Sequence, residues 1–252
     1  MTDITRRRLL PAVALLTLLA LWELAVAVLR VPEYIVPSPV HVLRTFQADF
    51  DTILRNLVPT AVESLLGFLA GNLLSIAIAT VFVHQKTIEE AFFPLAIIIR
   101  SVPIVAVAPI LVLLFGDGMA PKVIIAALIC FFPTLVNMVR GLSSVNPQAL
   151  ELMRVLSATK SEVFWKLRIY NSIPYLFAAL KIAASASVIG AIVGEWIGST
   201  EGIGALIIQA TYNFDTGLLY ASITAACVFS VAFTVLISFL ERRLVRWSPA
   251  ES

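Results

Sequence analysis

Residues 146–174 read NPQALELMRVLSATKSEVFWKLRIYNSIP, a polar island in a chain otherwise written for lipid. The stretch carries its own helical grammar. Asn146-Pro147 sets a capping side chain before a proline at the first helical position, which predicts a helix over 147–156. Ser157-Ala158 interrupts it. Thr159 and Glu162 then form a T-x-x-E capping box, which starts a second short helix ending near Arg168. Leu150, Met153 and Leu156 fall at helical spacing on the first, and Val163, Phe164 and Leu167 on the second, with charges between them. Two short amphipathic helices at a membrane surface follow. The residues alone leave two uses for them: a lipid anchor, since basic amphipathic helices rest on anionic lipid, or a face that meets a soluble protein.

Outward from the island the chain is apolar. Of 252 residues 60% are hydrophobic and only 13% charged, with a mean hydropathy of +0.95, which places it in a bilayer. A spanning helix needs roughly 17–25 mostly apolar residues. Six windows qualify: 9–29, 61–83, 91–115, 123–139, 173–197 and 218–240. The expected fold is therefore an all-α integral membrane protein of six transmembrane helices. The first window is too long for a signal-peptide core and leads into Leu29-Arg30 without a cleavage site, so it reads as a retained helix. With the N-terminus inside, twelve of the eighteen Lys and Arg fall on the inner side: Arg6, Arg7, Arg8, Lys86, Arg140, Arg154, Lys160, Lys166, Arg168, Arg242, Arg243 and Arg246. Arg30, Arg44, Arg55 and Lys122 fall outside, and Arg100 and Lys181 lie within spans. Positive loops stay cytoplasmic, so both termini are expected there. The formal charge of +2 reflects this topology and gives no sign of nucleic-acid binding. The chain divides into a first helix (1–30), an outer crossing (31–56), a five-helix core (57–246) holding the inner loop 140–172, and a cytoplasmic tail (247–252).

Several features lie inside or beside the spans. Pro32, Pro37 and Pro39 in VPEYIVPSPVHVL predict an extended outer crossing rather than another helix. Pro94, Pro103 and Pro109 predict that the third span is kinked and faces protein. In the fifth, Ala186, Gly190 and Gly194 recur every four residues and let another backbone approach. Packing within one chain and a pathway lined by Ser185, Ser187, Gly190 and Gly194 are both open uses of that stripe. Spans two and six read as packing elements. Charges in lipid need partners or water. Glu23 and Lys181 are assigned structural roles, and Arg100, beside the Ser101-Val102-Pro103 break, a clamp at a gate. Glu195 either orients the GSTEGIG turn, which includes Glu201, or lines an outer gate. Cys130 and Cys227 sit in spans, where single cysteines are apolar filler. His41 and His84 have no second metal ligand at usable spacing. No lysine follows the G-x-x-x-x-G of a phosphate loop, so ATP chemistry by that motif is excluded.

The island resembles the EAA loop of ABC importer permeases, E-A-A-x-x-x-G followed by a hydrophobic stretch and a proline. Glu151-Leu152-Met153, Ser157, Phe164, Ile173 and Pro174 occupy those places. LAIIIRSVPIVAVAPILVLLFGDG and VIGAIVGEWIGSTEGIGALI resemble the same family's third and fifth spans and its outer turn, so the likeness covers nearly the whole chain. Three departures stand out. Leu152 and Met153 replace the two alanines, Ser157 replaces the loop glycine, and Tyr170 replaces a proline often found before the fifth span. Serine where a left-handed turn is wanted carries a penalty or forces another turn.

The resemblance implies a type I ABC importer permease fold, with the island as the coupling helix between spans four and five. Leu150, Glu151, Met153, Arg154, Ser157, Ala158 and Phe164 would then meet a separate nucleotide-binding subunit, with Leu150, Met153 and Phe164 filling its pockets. ATP and magnesium would sit on that subunit, and this chain would hold no cofactor and be no enzyme. Further implied partners are an external substrate-binding protein and a second permease copy, identical or similar, in a bacterial inner membrane. The pathway or gate candidates are Arg100, Pro103, Ser185, Ser187, Gly190, Gly194, Glu195 and Glu201. Within the family the chain resembles permeases for thiamine-pyrimidine and riboflavin-type molecules, with sulfonate, taurine and nitrate as alternatives. A secondary transporter driven by an ion gradient, with Arg100, Lys181 and Glu195 as coupling groups, is the reading of a different class. It usually brings inverted repeats and midplane carboxylates, neither of which is seen in the sequence.

Overall fold

A backbone in hydrocarbon must satisfy its own polar groups, so apolar stretches of this length become helices. The computed structural model describes the backbone of residues 3–245 and the side chains of residues 9–245. Among these every regular element is helical: α1 (Asp3–Leu29), α2 (Pro39–Ala48), α3 (Phe50–His84), α4 (Lys86–Arg100), α5 (Ile104–Phe115), α6 (Met119–Ser143), α7 (Pro147–Val155), α8 (Lys160–Val163), a π turn (Phe164–Arg168), α9 (Ile169–Glu195), α10 (Ile203–Tyr212) and α11 (Thr216–Leu244). Five helices are long and apolar enough to cross a membrane, and α4 with α5 makes a sixth crossing as a broken pair. Six expected spans are thus accounted for. The side chains of Arg6, Arg7 and Arg8, together with Arg246 and the expected tail 247–252, lie outside the described residues.

The centre of the bundle is α6, held between α3 and α9. Gly71 on α3 and Gly190 on α9 make this possible. A Cβ at Gly71 would collide with the Ala127 carbonyl, and one at Gly190 would stand 2.7 Å from the Ala126 Cα. Small residues let backbones close to this distance, where dispersion replaces the hydrophobic drive that lipid cannot supply. Polar pairs cross the same seams. Ser75 Oγ donates to the Phe131 carbonyl at 2.7 Å, and Thr134 Oγ1 to Asn72 Oδ1 at 2.5 Å. On the other flank Cys130 Sγ donates to the Ala183 carbonyl at 3.2 Å. Each such bond is worth ~0.6 kcal/mol on average within a membrane. Outside this triple layer, α11 lies against α9 and α3, where the tilted rings of Phe68 and Phe233 meet at 5.0 Å and Lys181 pairs with Glu241 at 2.9 Å.

Two expectations are corrected. The crossing 31–56 is not simply extended, because Pro39–Ala48 is helical. Ser38 caps it by accepting from the His41 amide at 3.2 Å, and Pro39 occupies the first turn, where its missing donor costs nothing. Glu23 Oε2 accepts from the Val40 amide at 3.3 Å, tying α1 to this helix. The third span is kinked as expected, by 96° across Ser101–Pro103. It faces protein only on one side in this chain: Ile88, Phe93 and Ala96 of α4 pack against the cluster around Phe82, yet α4 buries no residue fully and α5 only Ala108.

Candidate functional site

The 146–170 loop forms as its capping signals dictate. Asn146 Oδ1 accepts from the Gln148 amide at 2.9 Å, opening α7. At the other end Ser157 takes φ +52, the left-handed conformation of the glycine it replaces. The Ser157 amide donates to the Arg154 carbonyl and the Ala158 amide to that of Met153, both at 2.9 Å, which closes a Schellman turn. Next, Thr159 and Glu162 exchange bonds, with the Glu162 amide 3.2 Å from Thr159 Oγ1 and the Thr159 amide 3.0 Å from Glu162 Oε2. Glu162 stands in the polar loop outside the apolar stretch. The Thr159 amide first, then Lys166 and the Thr159 hydroxyl, hold its carboxyl down to about 2. The depressed value means the charged cap is present above the ordinary carboxylate range and lost only as the pH falls toward 2.

Beyond the box the chain runs on without a joint. Lys160–Glu195 is one helix of 36 residues, interrupted only by the π turn. The turn sits where the loop is riveted to α6. Arg168 Nη1 donates to the Leu142 carbonyl at 2.7 Å and Asn171 Nδ2 to that of Gly141 at 2.9 Å, so both cap the end of α6. Phe164 is buried, 6% exposed, with its ring 4.7 Å from that of His84 and its neighbours Phe82 and Leu142. It therefore packs into this chain's own core, whereas the sequence expectation had it facing outward. Leu150, Met153 and Ala158 are half-buried, while Glu151, Arg154 and Ser157 are exposed. The apolar groups that face out are others: Leu152 at 60%, Val155 at 82%, Leu156 at 66% and Trp165 at 63%. Leu152, Val155 and Leu156 fall at helical spacing at the end of α7, while Trp165 stands on the π turn with its ring edge-on to Phe164 at 5.4 Å.

The opposite end of the bundle has the inverse character. Lys122 on α6 lies 3.1 Å from Glu63 Oε1 on α3, and both are buried. Lys122 also donates to Ser199 Oγ at 2.7 Å in the turn after α9. Glu195, at the end of α9, is 1% exposed. Its Oε1 accepts from Thr60 Oγ1 and its Oε2 from the Gly204 amide, each at 2.6 Å. The carboxylate thus holds the start of the helix that follows the glycine turn. Sequence reasoning missed Glu63, Thr60 and Asn56 and treated span two as packing alone. A lone carboxylate in an apolar window was the available signal.

The other pathway candidates separate. Ser187, Gly190 and Gly194 are buried within the chain, the glycines against α6 and Ser187 Oγ on the Ala184 carbonyl at 2.9 Å. In this chain they are packing positions, which corrects their placement on a pathway. Ser185 is half-buried on the Ile182 carbonyl, whereas Arg100, Pro103 and Glu201 are exposed. Arg100 has no ion pair or hydrogen bond among the described residues, so no clamp forms within one chain.

Residues 64–248 match the family of binding-protein-dependent transport system inner membrane components. The chain belongs to this family. The permease is 32% identical over 238 residues to the formylaminopyrimidine transport permease protein ThiX of Halalkalibacterium halodurans, covering 94% of this chain and 95% of the relative. It is equally 32% identical to the riboflavin transport system permease protein RibX of Chloroflexus aurantiacus, over 94% and 90% of the two chains. The aliphatic sulfonates permease SsuC of Bacillus subtilis, a putative assignment by name, is 27% identical over 95% and 86%. The permease is therefore a multi-pass inner-membrane component of an ABC importer for small solutes, a class whose partners are an ATPase and a substrate-binding protein.

Proposed function

We propose that this permease forms, with a second copy, the pathway of an importer for a small nitrogen heterocycle of the formylaminopyrimidine or riboflavin type, and that its 146–170 loop docks on a separate ATPase subunit. The carrying observation is the exposure of four large apolar side chains on one polar loop, Leu152, Val155 and Leu156 at the end of α7 and Trp165 on the π turn, which calls for something to cover them. Glu151 and Arg154 flank these groups and set their register on the partner. These groups are exposed, while Arg168 and Asn171 fasten the loop to the spans, an arrangement suited to passing a push from one protein to the other. ATP and magnesium belong to the partner. The charge asymmetry puts the loop and both termini in the cytoplasm. The heterocycle reading rests on the two relatives at 32% identity; the sulfonate relative is more distant.

Co-purification from the native host in mild detergent, followed by ATPase and uptake assays, tests the reading. An ATPase subunit is expected with the wild type, and its recovery should fall with Val155→Ser. Uptake of a labelled pyrimidine should follow ATP and an added external binding protein. Recovery of the permease alone, with uptake that follows an imposed ion gradient and ignores ATP, sinks the proposal in favour of a secondary transporter.

A further inference from the structure

The ten residues of α10 reach about 15 Å, half of the ~30 Å hydrocarbon layer, so this apolar helix cannot span. It sits instead at the end of the bundle remote from the 146–170 loop. Its leading amides, which a helix leaves unpaired, are each taken by a side chain of another element. The Gly202 amide donates to Asn56 Oδ1 at 3.1 Å, that of Ile203 to Thr60 Oγ1 at 2.8 Å, and that of Gly204 to Glu195 Oε2. Thr60 closes the ring on Glu195 Oε1. Gly202 stands at φ +107, and a Cβ there would overlap the Glu195 carboxylate, so the approach is as close as a backbone allows. Ile203, Leu206 and Ala210 are buried, the first two among Val42, Ile53 and Ala221. Lys122, itself held by Glu63, fastens Ser199 of the preceding turn. Lifting this segment away would strand a buried carboxylate, a hydroxyl and three amides together.

We propose that Glu195 is a positioning residue that seats residues 198–212 as a fixed seal, one that travels with α3, α6 and α9 as a single body through transport instead of opening as a flap. The word transport rests on the importer reading; the seal itself does not. A carboxylate at the start of α10 is suited to the task, since it accepts from the helix's free amide and meets the positive end of its dipole.

The test reconstitutes the complex in phospholipid vesicles loaded with radiolabelled sucrose, without nucleotide, as wild type, Glu195→Ala and Thr60→Val. Thr60→Val keeps the side-chain shape and guards against a misfolded alanine variant. Wild-type vesicles should hold the sugar, and both variants should release it at least about tenfold faster. Amide exchange over 199–206 should rise about ten- to a hundredfold in the variants, as expected when buried partners are lost. In the wild type it should stay unchanged when ATP and vanadate are added. A residue that only adds stability would lower the melting temperature and leave the vesicles tight. Tight variants, or wild-type exchange over 199–206 that rises with nucleotide, overturn the proposal. Failure to recover any ATPase subunit counts against the importer reading instead, and sugar release by the permease alone still decides the role of Glu195.

Discussion

At one end of the bundle Leu152, Val155, Leu156 and Trp165 point outward from a stretch rich in charge; at the other Glu63, Lys122 and Glu195 point inward from stretches rich in apolar residues. In both places the minority residue type carries the contact. Apolar groups on the polar loop stay exposed in one chain. Charges in apolar helices find each other, because each alone would be costly in lipid. A membrane sequence is thus read by its exceptions, and whether an exception is clustered or solitary indicates which side of the surface it occupies.

The contrast can be broken from either end. Lys122→Met leaves Glu63 buried without its cation and should cost about 3–5 kcal/mol, read as thermal unfolding in detergent, with most of the loss restored by adding Glu63→Gln. A cost below about 1 kcal/mol would mean that the far end is wetter than its burial indicates. Phe164→Ala should cost roughly 3 kcal/mol by emptying a core position with a fall in melting temperature; were Phe164 a docking residue, only recovery of the ATPase subunit would change. Gly190→Val, forced against the α6 backbone, should cost about 1–3 kcal/mol. Leu152→Ser with Val155→Ser sharpens the other side: stability within ~0.5 kcal/mol of wild type, yet affinity for the ATPase subunit down by about tenfold in a titration of the detergent complex. Smallest is Ser157→Gly, which relieves the left-handed turn and should raise stability by roughly 0.5–1 kcal/mol. A loss there would mean that the serine side chain holds something the turn needs.

Much of the architecture was legible, and the misses have physical causes. Apolar windows gave the spans, and Asn146-Pro147 and Thr159/Glu162 gave the loop helices, because caps are local and act within one turn. Ser38-Pro39 carries the same signal as Asn146-Pro147, but three prolines in eight residues drew the reading toward extended chain. The sequence places Leu150, Met153 and Phe164 on an outward face, although α7 bears apolar residues on two sides and only the fold tells which side stays exposed. Periodicity fails outright across Phe164–Arg168, where the turn is wider than 3.6 residues. Glu63 was hidden by averaging: one carboxylate scarcely alters a window's hydropathy. Arg100 is legible as an exception and still without a contact in one chain.

The helix from Lys160 to Glu195 changes what a small movement can accomplish. Its 36 residues reach roughly 50 Å at ~1.5 Å each, with the 146–170 loop at one tip and the Glu195 lock at the other. A rigid rod of that length works as a lever arm. A tilt of about 5° at the loop would carry the far tip some ~4–5 Å sideways, by the same rise per residue, and the hydrogen bonds of Glu195 and Thr60 would hand that sweep to α3 and α10 without slack. Amplification of this kind needs no hinge between the two tips.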